Sequence, residues 1–480
     1  MAQASFFWHD YETSGIDPAR DRPLQFAGLR TDAALNPLGE SVSIRCRPPR
    51  DSLPHPEACL ITGIAPQRAE RDGLPEVEFA AEVHEALATP GTCGVGYNTL
   101  RFDDAVTRNL LYRNFYDPYA REWQNGNSRW DIIDLARLCF ALRPDGIEWP
   151  QRDDGTPSFR LEQLARANHL AQQQAHDALS DVLATIELAR LLRAKQPKLW
   201  AWYLALRDKK HAASQLDLAQ MTPLLHVSSR YPSSRGCLAM IAPLAMHPAN
   251  ANEVIVYDLA SDPTELLALD PDAIAERLFT PRADLPADVE RIPLRTVRLN
   301  YAPALAPLSV LRGVDTNRIG LDPEQNLRHA ARLRATLGLA EKVRRVYGLN
   351  GARQAAADPE LALYDGFLPN ADKPLLDSVR ATPAAQLAQI ALPFKDPRYP
   401  ELLFRYRARN WPNSLSAEES ARWLDFRRQR LEHDTPLTTL TLPAYFAEIE
   451  RLRTERTGAD LALLDQLEAW GRQLAVDIMD

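Results

Sequence analysis

The stretch FFWHDYETSGIDPARDRPLQF (residues 6–26) drives an apolar run straight into two carboxylates, Asp10 and Glu12, then into a turn-rich segment and a second apolar run. Side chains alternate along a β-strand, so Asp10 and Glu12 project from one face and His9 and Tyr11 from the other. Two carboxylates about 6 to 7 Å apart on one strand face repel unless a cation lies between them or the face is wet. The spacing D-x-E is compatible with either.

Further acids bear on the choice. GYNTLRFDDAVTRN puts Asp103 and Asp104 at the start of a helical pattern, where carboxylates also complement the helix dipole. QAHDALSDVLATI puts His176 five positions before Asp181. Five residues of continuous helix turn through about 140°, so the two reach one spot only if His176 precedes the helix or sits in its first turn, with Asp181 facing inward. Singly, these are helix-capping acids, a surface histidine and a solvent-facing aspartate.

A chain of 480 residues has room for about three domains. Its 45% hydrophobic and 25% charged residues exclude a wholly disordered or fibrous chain. Fifty-six Lys plus Arg against 64 Asp plus Glu leave a net charge of −8, which does not itself suggest a nucleic-acid partner but is compatible with a local basic groove. Five scattered cysteines (46, 59, 93, 139 and 237) without a CxxC pair argue against a disulfide framework or structural zinc and fit core thiols in a reducing compartment. No secretory leader pattern is seen, and the longest apolar stretch, CLAMIAPLAMHP (237–248), is too short for a bilayer and contains Pro243. The expectation is a cytoplasmic protein without a membrane partner.

SFFWHDY, LQFAGLRT and ESVSIRCR read as strands of an antiparallel meander. EVEFAAEVHEALA (helix), TCGVGYN (strand) and RFDDAVTRNLLYRNF (helix) follow, an α/β pattern. The helical segments DIIDLARLCFALR, RLEQLARANH and DALSDVLATIELARLLRAKQ come next, and Pro197 ends or interrupts the last. Short β-like pieces (PLLHVSS, CLAMIAPL, EVIVYDL, IPLRTVRLNYAPAL) then mark a small β-containing domain, and amphipathic helices dominate from about residue 353. The expected division is 1–196, 197–350 and 351–480.

The ordered combination D-x-E, an Asp about ninety residues on, then H-x4-D resembles the His-type DEDD family of 3′ to 5′ exonucleases, with a ribonuclease H-like fold. HDYET, DRPLQFAGLRTD, LITGI, GYNTLRFDDAVTRNLLYRNFYDPYAREW, NSRWDIIDLARL, ALRPDGIEWP, PSFRLEQL and AHDALSDVLATI are similar within it to the bacterial exonuclease I family. The likeness continues through MTPLLHVS, IAPLAMHPANANEVIVYDLA and LLFRYRARNWPNSLSAEESARWLDFRRQRL, so it covers nearly the whole chain. It implies an α/β ribonuclease H-like nuclease domain with a mixed sheet, an SH3-like domain and a C-terminal helical domain.

The resemblance also implies chemistry. Asp10, Glu12 and Asp181 would ligate one or two Mg²⁺ ions, with Mn²⁺ possible, and Asp103 would complete the site, partly through water; oxygen-only donors suit such hard cations. His176 would take the proton of the attacking water. The activity would be 3′ to 5′ degradation of single-stranded DNA to 5′-mononucleotides, in DNA repair and recombination, by a monomer. Glu12 and Arg160 would meet the substrate, and Arg108, Arg113, Tyr119 and Trp123 form a mixture able to hold phosphates and stack on unpaired bases, continued by Arg137. FRYRARNW and FRRQR in the last domain could extend that groove, or be ordinary helix-face arginines. The implied protein partner is the single-stranded DNA-binding protein, whose acidic C-terminal tail Arg143 and Arg312 would receive. The competing readings are an exoribonuclease or oligonucleotide-degrading member of the same fold, a nucleic-acid-binding protein on an inactive nuclease fold, and a metal-dependent scaffold. Ser14 departs from the pattern, standing where a bulkier aromatic is common.

Overall fold

The structure is a computed structural model and describes residues 4–170, 177–351, 354–390 and 392–479. They divide into two compact units, one of residues 1–128, 172–183 and 353–480, the other of 129–171 and 184–352.

In the first unit β1 (Ser5–Thr13), β2 (Pro23–Thr31), β3 (Val42–Arg45) and β4 (Thr92–Gly96) lie side by side in the order β3-β2-β1-β4, and β5 (Ser128–Asp131) begins at Ser128, the last residue of that stretch of the unit. The expected meander is present: β1 and β2 are antiparallel, as are β2 and β3. β4 runs parallel to β1, which requires a crossover. The helix Glu76–Ala88 lies on that crossover, and its Phe79, Val83 and Leu87 pack with Phe7, Tyr11 and Phe26.

Five longer C-terminal helices, Lys373–Ala381, Tyr399–Asn410, Ala417–Glu432, Leu442–Glu455 and Ala459–Asp477, complete this unit. They do not close on themselves. Tyr445, Leu467 and Trp470 share one core with Leu24, Leu53 and Cys59. A buried ion network runs alongside: Arg22 Nη2 lies 2.7 Å from Glu360 Oε2, Arg409 bridges Glu360 (2.7 Å) and Asp51 (2.8 Å), and Arg430 reaches Asp51 at 2.6 Å. Burial alone would raise the Asp51 and Glu360 pKa values, but the surrounding guanidiniums outweigh it and hold both below the usual carboxylate range. FRYRARNW is thus largely interior: Arg405 pairs with Asp358, and Arg407 with Glu419. This corrects the expectation of a groove-lining role for these arginines.

The second unit contains β6 (Leu224–Val227), β7 (Leu238–Met246), β8 (Glu253–Asp258), β9 (Leu294–Arg298) and β10 (Ala304–Pro307), in the all-antiparallel order β10-β6-β7-β8-β9. IPLRTVRLNYAPAL, read as one extended segment, is two strands separated by a turn around Tyr301. Pro243 is tolerated inside β7 because the register shifts between Pro243 and Ala245. Pro197 interrupts as expected: one helix, Ala178–Lys195, stops before it, and the next, Pro197–Ala205, starts on it. All five cysteines are free and buried, as core thiols should be. No described helix is long and apolar enough to cross a membrane.

Candidate active site

β1 pairs with β4 only from Ser5 to Trp8. Three residues beyond Trp8, the N–H of Tyr11, between the two acids, donates to Asp103 Oδ1 at 3.1 Å. Asp103 opens the helix Asp103–Arg113. Thr107, one turn on, bonds the Tyr11 hydroxyl at 3.0 Å, so the residue that separates Asp10 from Glu12 holds this helix at two points.

Asp181 arrives by a different device. Glu12 lies opposite Gln25 on β2, and Gln25 Nε2 donates to Asp177 Oδ1 at 3.1 Å. Asp177 Oδ2 accepts from the Ser180 N–H and its carbonyl from the Asp181 N–H, which starts the helix Ala178–Lys195. Ligand atoms of Asp10, Glu12 and Asp181 consequently lie within 4.8 Å of one another. Gln25 and Asp177 were not picked out from sequence, although both sit inside quoted motifs; their role depends on a pairing register.

The converging carboxylates raise the pKa values of Asp10 and Glu12. Desolvation first, then Asp103, Glu12 and Asp181, push Asp10 well above the carboxylate range. Glu12 is pushed up to about 9 by burial, Asp181, Asp103 and Asp177. This all-oxygen set fits a hard divalent cation, whose charge would relieve the repulsion. Ser14 closes the turn after Glu12: its Oγ accepts from the Arg22 N–H at 2.9 Å, its N–H donates to the Arg22 carbonyl at 2.8 Å and its carbonyl accepts from the His55 N–H at 2.7 Å.

A carboxyl whose folded pKa is raised stabilises the fold below its unfolded pKa, and that contribution is lost as pH rises through the folded value. For Glu12 the window runs from about 4.5 to about 9. The metal-free protein is therefore expected to melt lower at pH 9 than at pH 6, and a divalent cation to raise the Tm more at pH 9; thermal melts in EDTA and in Mg²⁺ at both pH values check this.

A second three-ligand group, His55, Glu57 and Glu448, also has ligand atoms within 4.8 Å. There a cation is already supplied: Arg451 bonds both Glu448 oxygens (2.8 and 2.6 Å) and Glu57 (2.9 Å).

His176 lies outside the described residues. Trp123 is 66% exposed, Tyr119 meets Phe367 at 6.0 Å between ring centroids, and Phe367 is 87% exposed. With Tyr112, Lys373 and Arg398 they line a cavity of about 220 Å³. Phe367 was missed because an isolated Phe in a loop carries no periodic signal. Arg108 and Arg113 correct the expectation of guanidiniums displayed for phosphates: both are buried, Arg108 on Glu122 at 2.7 Å and Arg113 on Glu76 at 2.8 Å. Arg137, in the second unit, is likewise buried on Asp134 at 2.6 Å. Arg160 is exposed there at the start of the helix Leu161–Ala167. Arg143 Nη2 donates to the Val310 carbonyl at 3.0 Å, two residues before the exposed Arg312.

Three family models match in succession: Exonuclease over residues 7–189, Exonuclease I SH3-like domain over 207–349, and Exonuclease I C-terminal domain over 357–474. The exodeoxyribonuclease I of Escherichia coli K12 is 45% identical over 427 residues, 89% of this chain and 90% of that protein. A solved structure of a moderately thermophilic exonuclease I from Methylocaldum szegediense superposes with a TM-score of 0.94 at 51% identity, covering 98% of this chain and 99% of that one. The zinc-bound form of the E. coli enzyme with single-stranded DNA gives a TM-score of 0.92 at 42% identity, with all of each chain covered. With a ribonuclease H-like carboxylate site, an SH3-like sheet and C-terminal helices in one sequence, the chain belongs to the exonuclease I family of exodeoxyribonucleases.

Proposed function

We propose that the protein degrades single-stranded DNA from its 3′ end, releasing 5′-mononucleotides, in DNA repair and recombination. The observation that carries this reading is the convergence of Asp10, Glu12 and Asp181 within 4.8 Å. Support comes from relatives solved with single-stranded DNA. Asp10, Glu12 and Asp181 would hold the divalent ions, and Asp103, anchored on the Tyr11 N–H, would complete the site at one remove. Two such cations, Mg²⁺ or alternatively Mn²⁺, would supply a nucleophilic water at neutral pH and offset charge on the attacking and leaving oxygens. His176 is assigned the proton of that water on the family likeness. Glu12 and Arg160 are assigned to the terminal nucleotide. Tyr119 and Trp123, joined by Phe367, would stack on unpaired bases, a contact every base can make.

The three-domain division at 196 and 350, the monomeric state and the cytoplasmic location belong to the same reading. Arg143 and Arg312 are proposed to receive the acidic tail of the single-stranded DNA-binding protein, since Arg143 is bonded to the backbone two residues from Arg312. The test is time-resolved digestion, with Mg²⁺, of single and double strands blocked at the 3′ or 5′ end, beside matched RNA. Mononucleotide release from unblocked 3′ ends of single-stranded DNA is expected; equal degradation of RNA, or release from 3′-blocked strands, would overturn the reading.

A further inference from the structure

Between the two aromatic residues Tyr119 and Trp123 stand two charged ones, Arg121 and Glu122, almost wholly withdrawn from solvent. Arg121 Nη2 contacts Asp104 Oδ1 at 2.6 Å, with side-chain exposures of 1% and 2%. Arg108 Nε contacts Glu122 Oε1 at 2.7 Å and Nη2 contacts Oε2 at 3.1 Å. Asp104 and Arg108 are four apart on the helix Asp103–Arg113, hence on one face. The helix presents acid then base, and the 119–123 segment presents base then acid.

That order makes the register self-correcting. Sliding the segment would bring Glu122 toward Asp104 or Arg121 toward Arg108, placing like charges together out of water. The same helix face begins beside Asp103, whose carboxylate is fixed to the Tyr11 N–H between Asp10 and Glu12. An ideal Cβ at Gly94 would sit 3.5 Å from Arg121 Nη1 and 3.6 Å from His9 Nε2, so the Arg121 guanidinium and the His9 ring both lie over Gly94 of β4.

We propose that Arg121 is a positioning residue for hydrolysis: through Asp104 it holds the first turn of the Asp103–Arg113 helix, and with it the Asp103 carboxylate, in register with the Tyr119–Trp123 segment. This rests on the assignment of that segment to the DNA strand. The pair turns a base stacked on Trp123 and the phosphodiester at the carboxylates into two points on one rigid frame. Because misplacement by about 1 Å can cost on the order of 100-fold in rate, the effect belongs in kcat.

The experiment uses the full-length protein with Mg²⁺ and a single-stranded oligonucleotide, and measures kcat, KM and DNA affinity in EDTA. Arg121→Met is expected to lower kcat by about 100-fold while DNA affinity in EDTA stays within about threefold. Arg121→Lys, which keeps the charge, is expected to recover kcat to within about tenfold of the starting protein. If Arg121→Met does not fold, Asp104→Asn carries the test, because it keeps the acceptor's shape and loses only its charge; its kcat is expected to fall with KM retained. A folded Arg121→Met or Asp104→Asn protein with undiminished kcat, or one whose rate loss is matched by loss of DNA affinity, would overturn the proposal. Trp123→Ala separates the underlying assignment: it should weaken DNA binding in EDTA, and unchanged binding would sink the stacking role while leaving the Arg121 result to stand.

Discussion

Asp181→Asn is expected to lower single-stranded DNA hydrolysis by about 10⁴-fold or more, since one of three cation-holding oxygen donors loses its charge and the cations contribute several kcal/mol to the transition state. Asp10→Asn should behave alike. Both side chains are half-buried and their ligand atoms lie within 4.8 Å of each other and of Glu12. The same substitution has an opposite effect on stability. Asp181 is the largest charge contributor to the raised Glu12 pKa after burial, so neutralising it removes repulsion that the metal-free fold must bear. An inactive variant that melts higher than the parent in EDTA, by on the order of 1 kcal/mol, is the expected pair of results from a steady-state assay and a thermal melt. Loss of activity together with lower metal-free stability would mean that Asp181 is a structural acid.

Glu360→Ala carries the largest expected effect on stability. Its carboxylate is 3% exposed and accepts from Arg22, Arg405 and Arg409, so its removal takes the carboxylate from the buried Arg22 and one of the acceptors from Arg405 and Arg409, which keep Asp358 and Asp51. Breaking a buried pair from one side costs about 3–5 kcal/mol, and urea unfolding should show a loss of that order. The pH dependence has the opposite sign to that of the cation site. Asp51 and Glu360 have depressed folded pKa values, so their contribution is present above the unfolded carboxylate pKa and is lost as pH falls through the folded value. The parent should accordingly hold its fold well into acid, and Glu360→Ala should narrow that margin; a variant within 1 kcal/mol of the parent would show the network to be dispensable (about the scatter of single substitutions).

Much of the site was legible in the sequence because it rests on short-range periodicity. Alternation along residues 6–13 placed Asp10 and Glu12 on one face, and the helix starts at Asp103 and before Asp181 were marked by acids and apolar spacing. What escaped depends on partners far apart in the chain. Whether an arginine meets solvent or a carboxylate is a tertiary matter, and Arg108, Arg113 and Arg405 all face carboxylates. Gln25 and Asp177, 152 residues apart, meet through the β1–β2 register and a helix start, neither of which marks them locally. The apolar faces of the C-terminal helices are visible in sequence, whereas Leu24, Leu53 and Cys59, which pack with them, lie some 400 positions earlier.

A divalent cation relieves the mutual repulsion among Asp10, Glu12 and Asp181 in this reading of the site. Calorimetric titration of Mn²⁺ into the metal-free protein near pH 7, run in two buffers of different ionisation heat, tests it without DNA or turnover. Binding accompanied by proton release is predicted, because a carboxyl with a pKa raised to about 9 must give up its proton to bind. Asp10→Asn and Asp181→Asn should each weaken that binding severely. Mn²⁺ binding of equal strength in the parent and both variants, or binding with no protons released, would mean that these carboxylates do not hold the cation.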